Sequence, residues 1–196
     1  MKDGEFMCQK LSHEEFVDII DILYIKTFRL KNSWDFLSLF IFNGNMENRY
    51  PDLTYSLKYS FGIDAYTTIN ALFSSGKYSF SYIKKADTKF EEEYQKAWAA
   101  LQESIPRIKW NRNKLFCHFA EKQSEKEINE IVLHFPPVFD ILADLTMKAM
   151  KLFNVNASEI RAIPEEKYRK LQEEKKAFSR LLTEGLLNNV LRQHSD

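Results

Sequence analysis

Residues 12–41 read SHEEFVDIIDILYIKTFRLKNSWDFLSLFI. Phe16, Ile19, Ile20, Leu23, Thr27, Leu30, Trp34, Leu37 and Ile41 recur at three- and four-residue spacing, with Thr27 the one polar member. An α-helix turns once in about 3.6 residues, so this spacing lays all of them on one face. Ser12 and Glu15 supply a start. The serine hydroxyl accepts from an orphan N–H of the first turn, and the carboxylate three residues on answers the N-cap N–H. The helix is predicted to end before Asn43-Gly44-Asn45, which is turn chemistry, and to bend or break at Asn32-Ser33.

The same reading extends along the chain. Pro51 precedes a second predicted helix, roughly residues 52–75, with Leu53, Leu57, Phe61, Ile69, Leu72 and Phe73 as its apolar face and Gly62 inside it. Residues 76–86, GKYSFSYIKKA, read as a connection with a short turn. Thr88 with Glu91 and Ser124 with Glu127 are two further capping boxes. The first opens a helix over residues 88–104, which Pro106 ends; its apolar positions include Phe90, Tyr94, Ala97, Trp98 and Leu101. A fourth segment begins near Asn111. The helix opened by Ser124 carries Ile128, Ile131, Val132 and Phe135, is predicted to kink or stop at Pro136-Pro137, and resumes from Val138 to Phe153. Residues 154–158, NVNAS, read as a linker, and a last helix runs from Pro164 to about Leu191. That helix is expected to pack on the bundle or to lie at a dimer interface. The expected architecture is all-α: an up-and-down bundle of about five to six helices over residues 1–155 and a helical extension over 156–196.

Composition agrees. Hydrophobic residues are 44% of the 196, enough for a core, so a chain disordered throughout is excluded. Five Gly and five Pro are too few for the turns of an all-β sandwich or barrel. Lys+Arg and Asp+Glu are both 28, so the net charge is zero and no whole-body electrostatic grip on nucleic acid or membrane is expected. Cys8 and Cys117 stand far apart, which implies neither a disulfide framework nor a clustered zinc site; no cofactor is expected. The N-terminus has no apolar signal core, and the longest apolar run, Phe36–Phe42, contains Ser38 and is too short for a bilayer. The expected location is the cytoplasm, with no membrane contact.

One segment departs from the balanced charge. Residues 105–120 read IPRIKWNRNKLFCHFA, with Arg107, Lys109, Arg112 and Lys114 and no acid. A solvated loop and helix start account for the charge by itself; a phosphate site accounts for the charge together with His118. Asn111 is a fair N-cap, which places Arg112 and Asn113 in a first turn whose free N–H groups favour an anion. Arginine can hold two phosphate oxygens, and histidine can move a proton near neutral pH. Those two groups suffice for metal-free RNA cleavage. On one helix, however, positions six apart differ by roughly 120° and about 9 Å of rise. Arg112 and His118 therefore meet more readily across two copies of the chain than within one. The other histidines read as structural: His134 as partly buried and satisfied, His13 and His194 as exposed. Cys117 reads as a small buried hydrophobe.

RNKLFCHF resembles the signature of the HEPN superfamily: Arg, a polar residue, four more residues, then His. The stretch AWAALQESIPRIKW before it resembles the helix and loop that precede the signature, and INALFSSGKYSFSYIKKA resembles the end of the second helix and the following connection of the abortive-infection branch. The likeness covers about residues 16–153. It implies an α-helical bundle that dimerises into a metal-independent endoribonuclease. His118 would be the general acid or base, Arg112 would hold the scissile phosphate, and Asn113 would orient them. Lys109, Lys114 and Arg107 are candidate RNA-backbone contacts, and cleavage would leave a 2′,3′-cyclic phosphate. The implied partners are RNA, a second copy and an antitoxin protein. Ala120 stands where the branch paired with nucleotidyltransferase antitoxins carries Tyr, which argues against an antitoxin of that type. Two other readings remain: a non-catalytic HEPN-like module binding RNA, a nucleotide or a protein, and a purely structural helical protein.

Overall fold

The computed structural model describes residues 11–41, 48–104 and 123–161, with residues 169, 170, 173, 174, 176, 177 and 180 further on; of residues 40 and 123–131 it describes the backbone. Among these there is no strand, and the α-helices are α1 (His13–Ile41), α2 (Pro51–Leu72), α3 (Phe80–Ile83), α4 (Thr88–Ser104) and α5 (Gln123–Leu152). The chain divides into two units, Met1–Ala162 and Ile163–Asp196. The described positions of the second unit are helical and exposed.

α1 carries out the periodic reading. Ile19, Ile20, Leu23 and Leu30 are fully buried, Thr27, Trp34 and Leu37 nearly so, and Phe16 and Ile41 are half-buried. Each aliphatic side chain taken out of water contributes about 1.5–3 kcal/mol, so this stripe supplies much of the driving force. The Ser12 box forms: the Glu15 N–H donates to Ser12 Oγ at 3.2 Å, and the Ser12 N–H donates to Glu15 Oε2 at 2.9 Å. The helix runs unbroken through Asn32-Ser33.

Pairs of side chains give the helix directions. Phe16 at the start of α1 stacks on Phe153 just past α5 (4.1 Å), while Trp34 meets Phe135 (5.7 Å), so α1 and α5 are antiparallel. Trp34 also meets Phe61 (5.6 Å), and Arg29 pairs with Asp64 (2.6 Å), which sets α2 antiparallel to α1. Phe90 packs edge-on against Phe153 (5.5 Å), and Glu93 pairs with Lys148 (2.5 Å), which does the same for α4 and α5. The long helices α1, α2, α4 and α5 therefore form an up-and-down bundle. Its core joins Phe61, Ala65 and Ile69 of α2, Phe90 and Leu101 of α4, and Phe135, Val138, Leu142 and Leu145 of α5 to the α1 stripe.

Several expectations need correction. α4 has the predicted bounds, but its cap is Asp87 and not Thr88: Asp87 Oδ1 accepts from the Lys89 (2.7 Å) and Phe90 (3.0 Å) N–H groups. A carboxylate one residue earlier reaches two orphan donors, where a hydroxyl at Thr88 would meet the chain already helical. The Ser124 box lies outside the described side chains. α2 stops at Leu72 rather than near residue 75, because serines take over the freed carbonyls. Ser81 Oγ donates to Phe73 O (2.7 Å), and Ser79 Oγ lies 2.6 Å from both Ser74 O and Gly76 O. Phe73 then turns against Phe80, Tyr94 and Trp98. On α2, Leu53 is exposed and Thr54 takes the buried position one residue on. Residues 80–86 of the expected connection are helical: α3 followed by a 3₁₀ turn at Lys84–Ala86.

α5 is continuous through Pro136 and Pro137. Both prolines lie on its exposed side, between buried Phe135 and Val138, so the core contacts on either side hold the helix across the two lost backbone donors. Residues 154–158 are not a loose linker. Asn154 adopts the left-handed conformation (φ 53°), the Val155 N–H returns to Met150 O (2.9 Å), and Val155 is buried. This is the six-to-one bond of a Schellman cap, with asparagine in place of glycine. A 3₁₀ turn at Ala157–Glu159 follows, closed by an Asn156–Glu159 capping box.

Three of the buried hydroxyls show how unevenly polar groups are served. Thr146 Oγ1 donates to Leu142 O (2.8 Å), whereas Thr27 Oγ1 and Thr54 Oγ1 have no partner among the described residues.

Candidate functional site

Arg107, Lys109, Arg112, Asn113, Lys114 and His118 lie outside the described residues, as do Cys117 and His194. The frame that holds them is described on both sides. The chain leaves α4 at Ser104 and enters α5 at Gln123. Because α4 and α5 are antiparallel, those two positions sit at the same end of the bundle. The C-terminus of α1 at Ile41 and the N-terminus of α2 at Pro51 share that end. Leu101 is fully buried in the last turns of α4, and on α5 Val132 and Phe135 are buried, nine and twelve residues past Gln123. Beneath this end lies an aromatic cluster of Trp34, Phe61 and Phe135, with the last two edge-to-face at 4.8 Å.

The described histidines do not gather around an acid–base centre. His13 lies in the first turn of α1, over half exposed, with Nε2 2.7 Å from Glu159 Oε1. Glu159 also accepts from the Asn156 N–H (2.7 Å). That hydrogen bond, then the one with His13, holds its carboxyl below the ordinary value. The contact ties the start of α1 to the turn after α5 and is structural. His134 is exposed, not partly buried. The buried positions around it, Val132, Phe135 and Val138, define a face that leaves residue 134 pointing away from the core.

The strongest electrostatic centre among the described residues pins α4 to α5. Lys148 Nζ reaches Glu93 (2.5 Å) and Asp144 (2.8 Å), and Lys96 reaches Glu93 (2.7 Å). Hydrogen bonds from Lys148 and Lys96 bring the Glu93 carboxyl down to about 2. Among the described residues the buried polar side chains are the hydroxyl-bearing Thr27, Thr54, Thr68, Ser79 and Thr146, and Oδ1 of the half-buried Asp21 is also shielded. No group of three or more His, Cys, Asp or Glu able to hold a metal occurs among the described residues, and no described helix is long and apolar enough to cross a membrane.

One juxtaposition escaped the sequence reading. Lys26 Nζ, on α1, donates to the carbonyl of Tyr78 (3.0 Å) in the stretch before α3. Arg29, one turn on, donates through Nη2 to Asp64 Oδ1 (2.6 Å) and Thr68 Oγ1 (3.1 Å) of α2. The α1 pattern marks Lys26 and Arg29 only as flanks of the apolar stripe, and Tyr78 lies 52 residues away, so no local spacing could have joined them. Compared with known proteins, the chain matches no family model, no curated protein and no solved structure.

Proposed function

We propose that the chain is a metal-independent endoribonuclease of the defence or toxin kind, working in the cytoplasm as a homodimer under the control of an antitoxin protein. The observation that carries the reading is the acid-free run of residues 105–120, with Arg112, Asn113 and His118 in the Arg-polar-x4-His order of the HEPN signature. Its support is the all-α up-and-down bundle and the position of that run between the end of α4 at Ser104 and the start of α5 at Gln123.

In this mechanism Arg112 holds the non-bridging oxygens of the scissile phosphate, and Asn113 orients the pair. His118 takes the proton of the 2′-hydroxyl or returns one to the leaving 5′-oxygen. Attack of the 2′-oxygen on phosphorus expels the 5′-oxygen and leaves a 2′,3′-cyclic phosphate. Arg107, Lys109 and Lys114 contact the RNA backbone. The roughly 120° between Arg112 and His118 on one helix makes the site composite, with each cleft built from two chains.

The test is RNA cleavage in EDTA by the wild type, His118→Ala and Arg112→Ala, with end-group analysis. Only the wild type is expected to cut, leaving cyclic-phosphate ends. Mixing the two inactive variants should restore part of the activity, because some mixed dimers contain one intact cleft. Equal cutting by wild type and His118→Ala would overturn the role of His118. Absence of cutting by the wild type on structured and unstructured RNA would favour a binding module.

A further inference from the structure

We propose that Lys26, Arg29 and Tyr78 form a contact surface for single-stranded RNA, with a backbone phosphate held by Lys26 and Arg29 and a neighbouring base laid on the Tyr78 ring. The inference rests on the RNA reading above and extends it to a surface outside the signature.

Of the two cations, Arg29 is paired with Asp64 through one amino group, and Lys26 is placed by a carbonyl. Lys26 is half-buried, and it donates to a carbonyl, Tyr78 O at 3.0 Å; no carboxylate pairs with it among the described residues. Burial and the charge of Arg29 both lower its affinity for the proton, so an anion at this position would relieve an existing cost. Arg29 is held by one amino group, to Asp64 and Thr68, and its side chain remains 60% exposed. Among the described residues its other N–H donors meet no acceptor, which leaves them for a second anion. A fork beside a point charge suits a phosphodiester, which offers two non-bridging oxygens.

The aromatic half belongs to the residue whose backbone carbonyl holds Lys26. That residue, Tyr78, is 41% exposed. Lys77 Nζ stands 5.9 Å from the centre of its ring. The nearby acids are already engaged, Asp64 by Arg29 and Glu15 by the Ser12 cap. An exposed ring next to cations suits an unpaired base joined to its phosphate, since a base in a duplex has no free face.

The experiment is fluorescence anisotropy of the full chain with a labelled single-stranded 2′-O-methyl RNA dodecamer, which cannot be cleaved through its 2′-oxygen, over a series of salt concentrations. Lys26→Gln and Arg29→Gln are expected to weaken binding and to lower the slope of log affinity against log salt by about 0.7 each, the value for one phosphate contact on a single strand. Tyr78→Ala should weaken binding by about fivefold to a hundredfold, the range for one stacked base, while Tyr78→Phe, which keeps the ring, binds like the wild type. Asp64→Asn, which removes the carboxylate facing Arg29, should tighten it. Variants with native helical content that bind like the wild type would overturn this surface and leave the nuclease reading standing. Displacement of the RNA by an acidic peptide, with equal loss of peptide binding in the variants, would reassign the surface to a protein partner. A wild type that neither binds nor cuts RNA would overturn both.

Discussion

α5 meets its neighbours in two different ways. Against α1 and α2 the seam is dry and aromatic, with Phe135 fully buried between Trp34 and Phe61. Against α4 it is mixed: Phe90, Phe153 and Leu101 lie inside, and Glu93, Lys96, Asp144 and Lys148 form an ionic cluster at the rim. The first seam draws on water exclusion, which is strong and has no preferred direction. The second adds charge pairs that contribute little to stability at the surface but penalise a slipped alignment of the helices. Strength and register are therefore supplied by different parts of one helix.

The largest effect is expected where the dry seam is cut. Phe135→Ala should cost about 3–5 kcal/mol, measured by urea unfolding, because three helices lose a shared ring. A loss below about 1 kcal/mol would mean that the cavity collapses and that the seam is not close-packed. Trp98→Ala tests the boundary between the two regimes. Trp98 is half-buried, tilted against Phe73 at 5.0 Å, so its loss should fall below the range of about 3–5 kcal/mol for a fully buried aromatic. A cost equal to that of Phe135→Ala would erase the distinction.

The smallest effect belongs to the ionic rim. Glu93 has a native pKa of about 2 against an ordinary value of 4.5. Its folded pKa is depressed, so the contribution is complete above pH 4.5 and is lost as the pH falls towards about 2. Glu93→Gln should remove that part of the acid dependence, read as melting temperature against pH, and high salt should shrink the difference between variant and wild type. An unchanged acid profile would show that the cluster does not report on α4–α5 alignment.

The contrast also explains what was legible in the sequence. Stripes that repeat every three or four residues are local statements, so the face of α1, the bounds of α4 and the Ser12 cap could be read directly. The details that failed depend on distant partners or on competition between neighbours. Thr88 gave way to Asp87 because the carboxylate reached two donors. Residues 154–158 read as a linker because the left-handed turn at Asn154 lacks the glycine that usually marks it, and the burial of Val155 is a property of the folded bundle. Of the kink or stop expected at Pro136-Pro137, the stop does not occur, because burial on either side, at Phe135 and Val138, is a property of the whole bundle. Of the candidate site, the Arg112–His118 order was legible as a motif, and the described helices supply its anchors. Lys26 and Tyr78 were not legible together, since their meeting requires α1 and the stretch after α2 to be folded already.

The two unpartnered hydroxyls, Thr27 Oγ1 and Thr54 Oγ1, have a consequence for how this protein can change. A buried polar group without a partner costs about 1–3 kcal/mol relative to one that is satisfied. The bundle therefore sits below the stability its own architecture permits. That headroom is available to selection: drift towards valine at either position would offset damage elsewhere, and the chain could then tolerate substitutions on its functional surfaces that it cannot carry today.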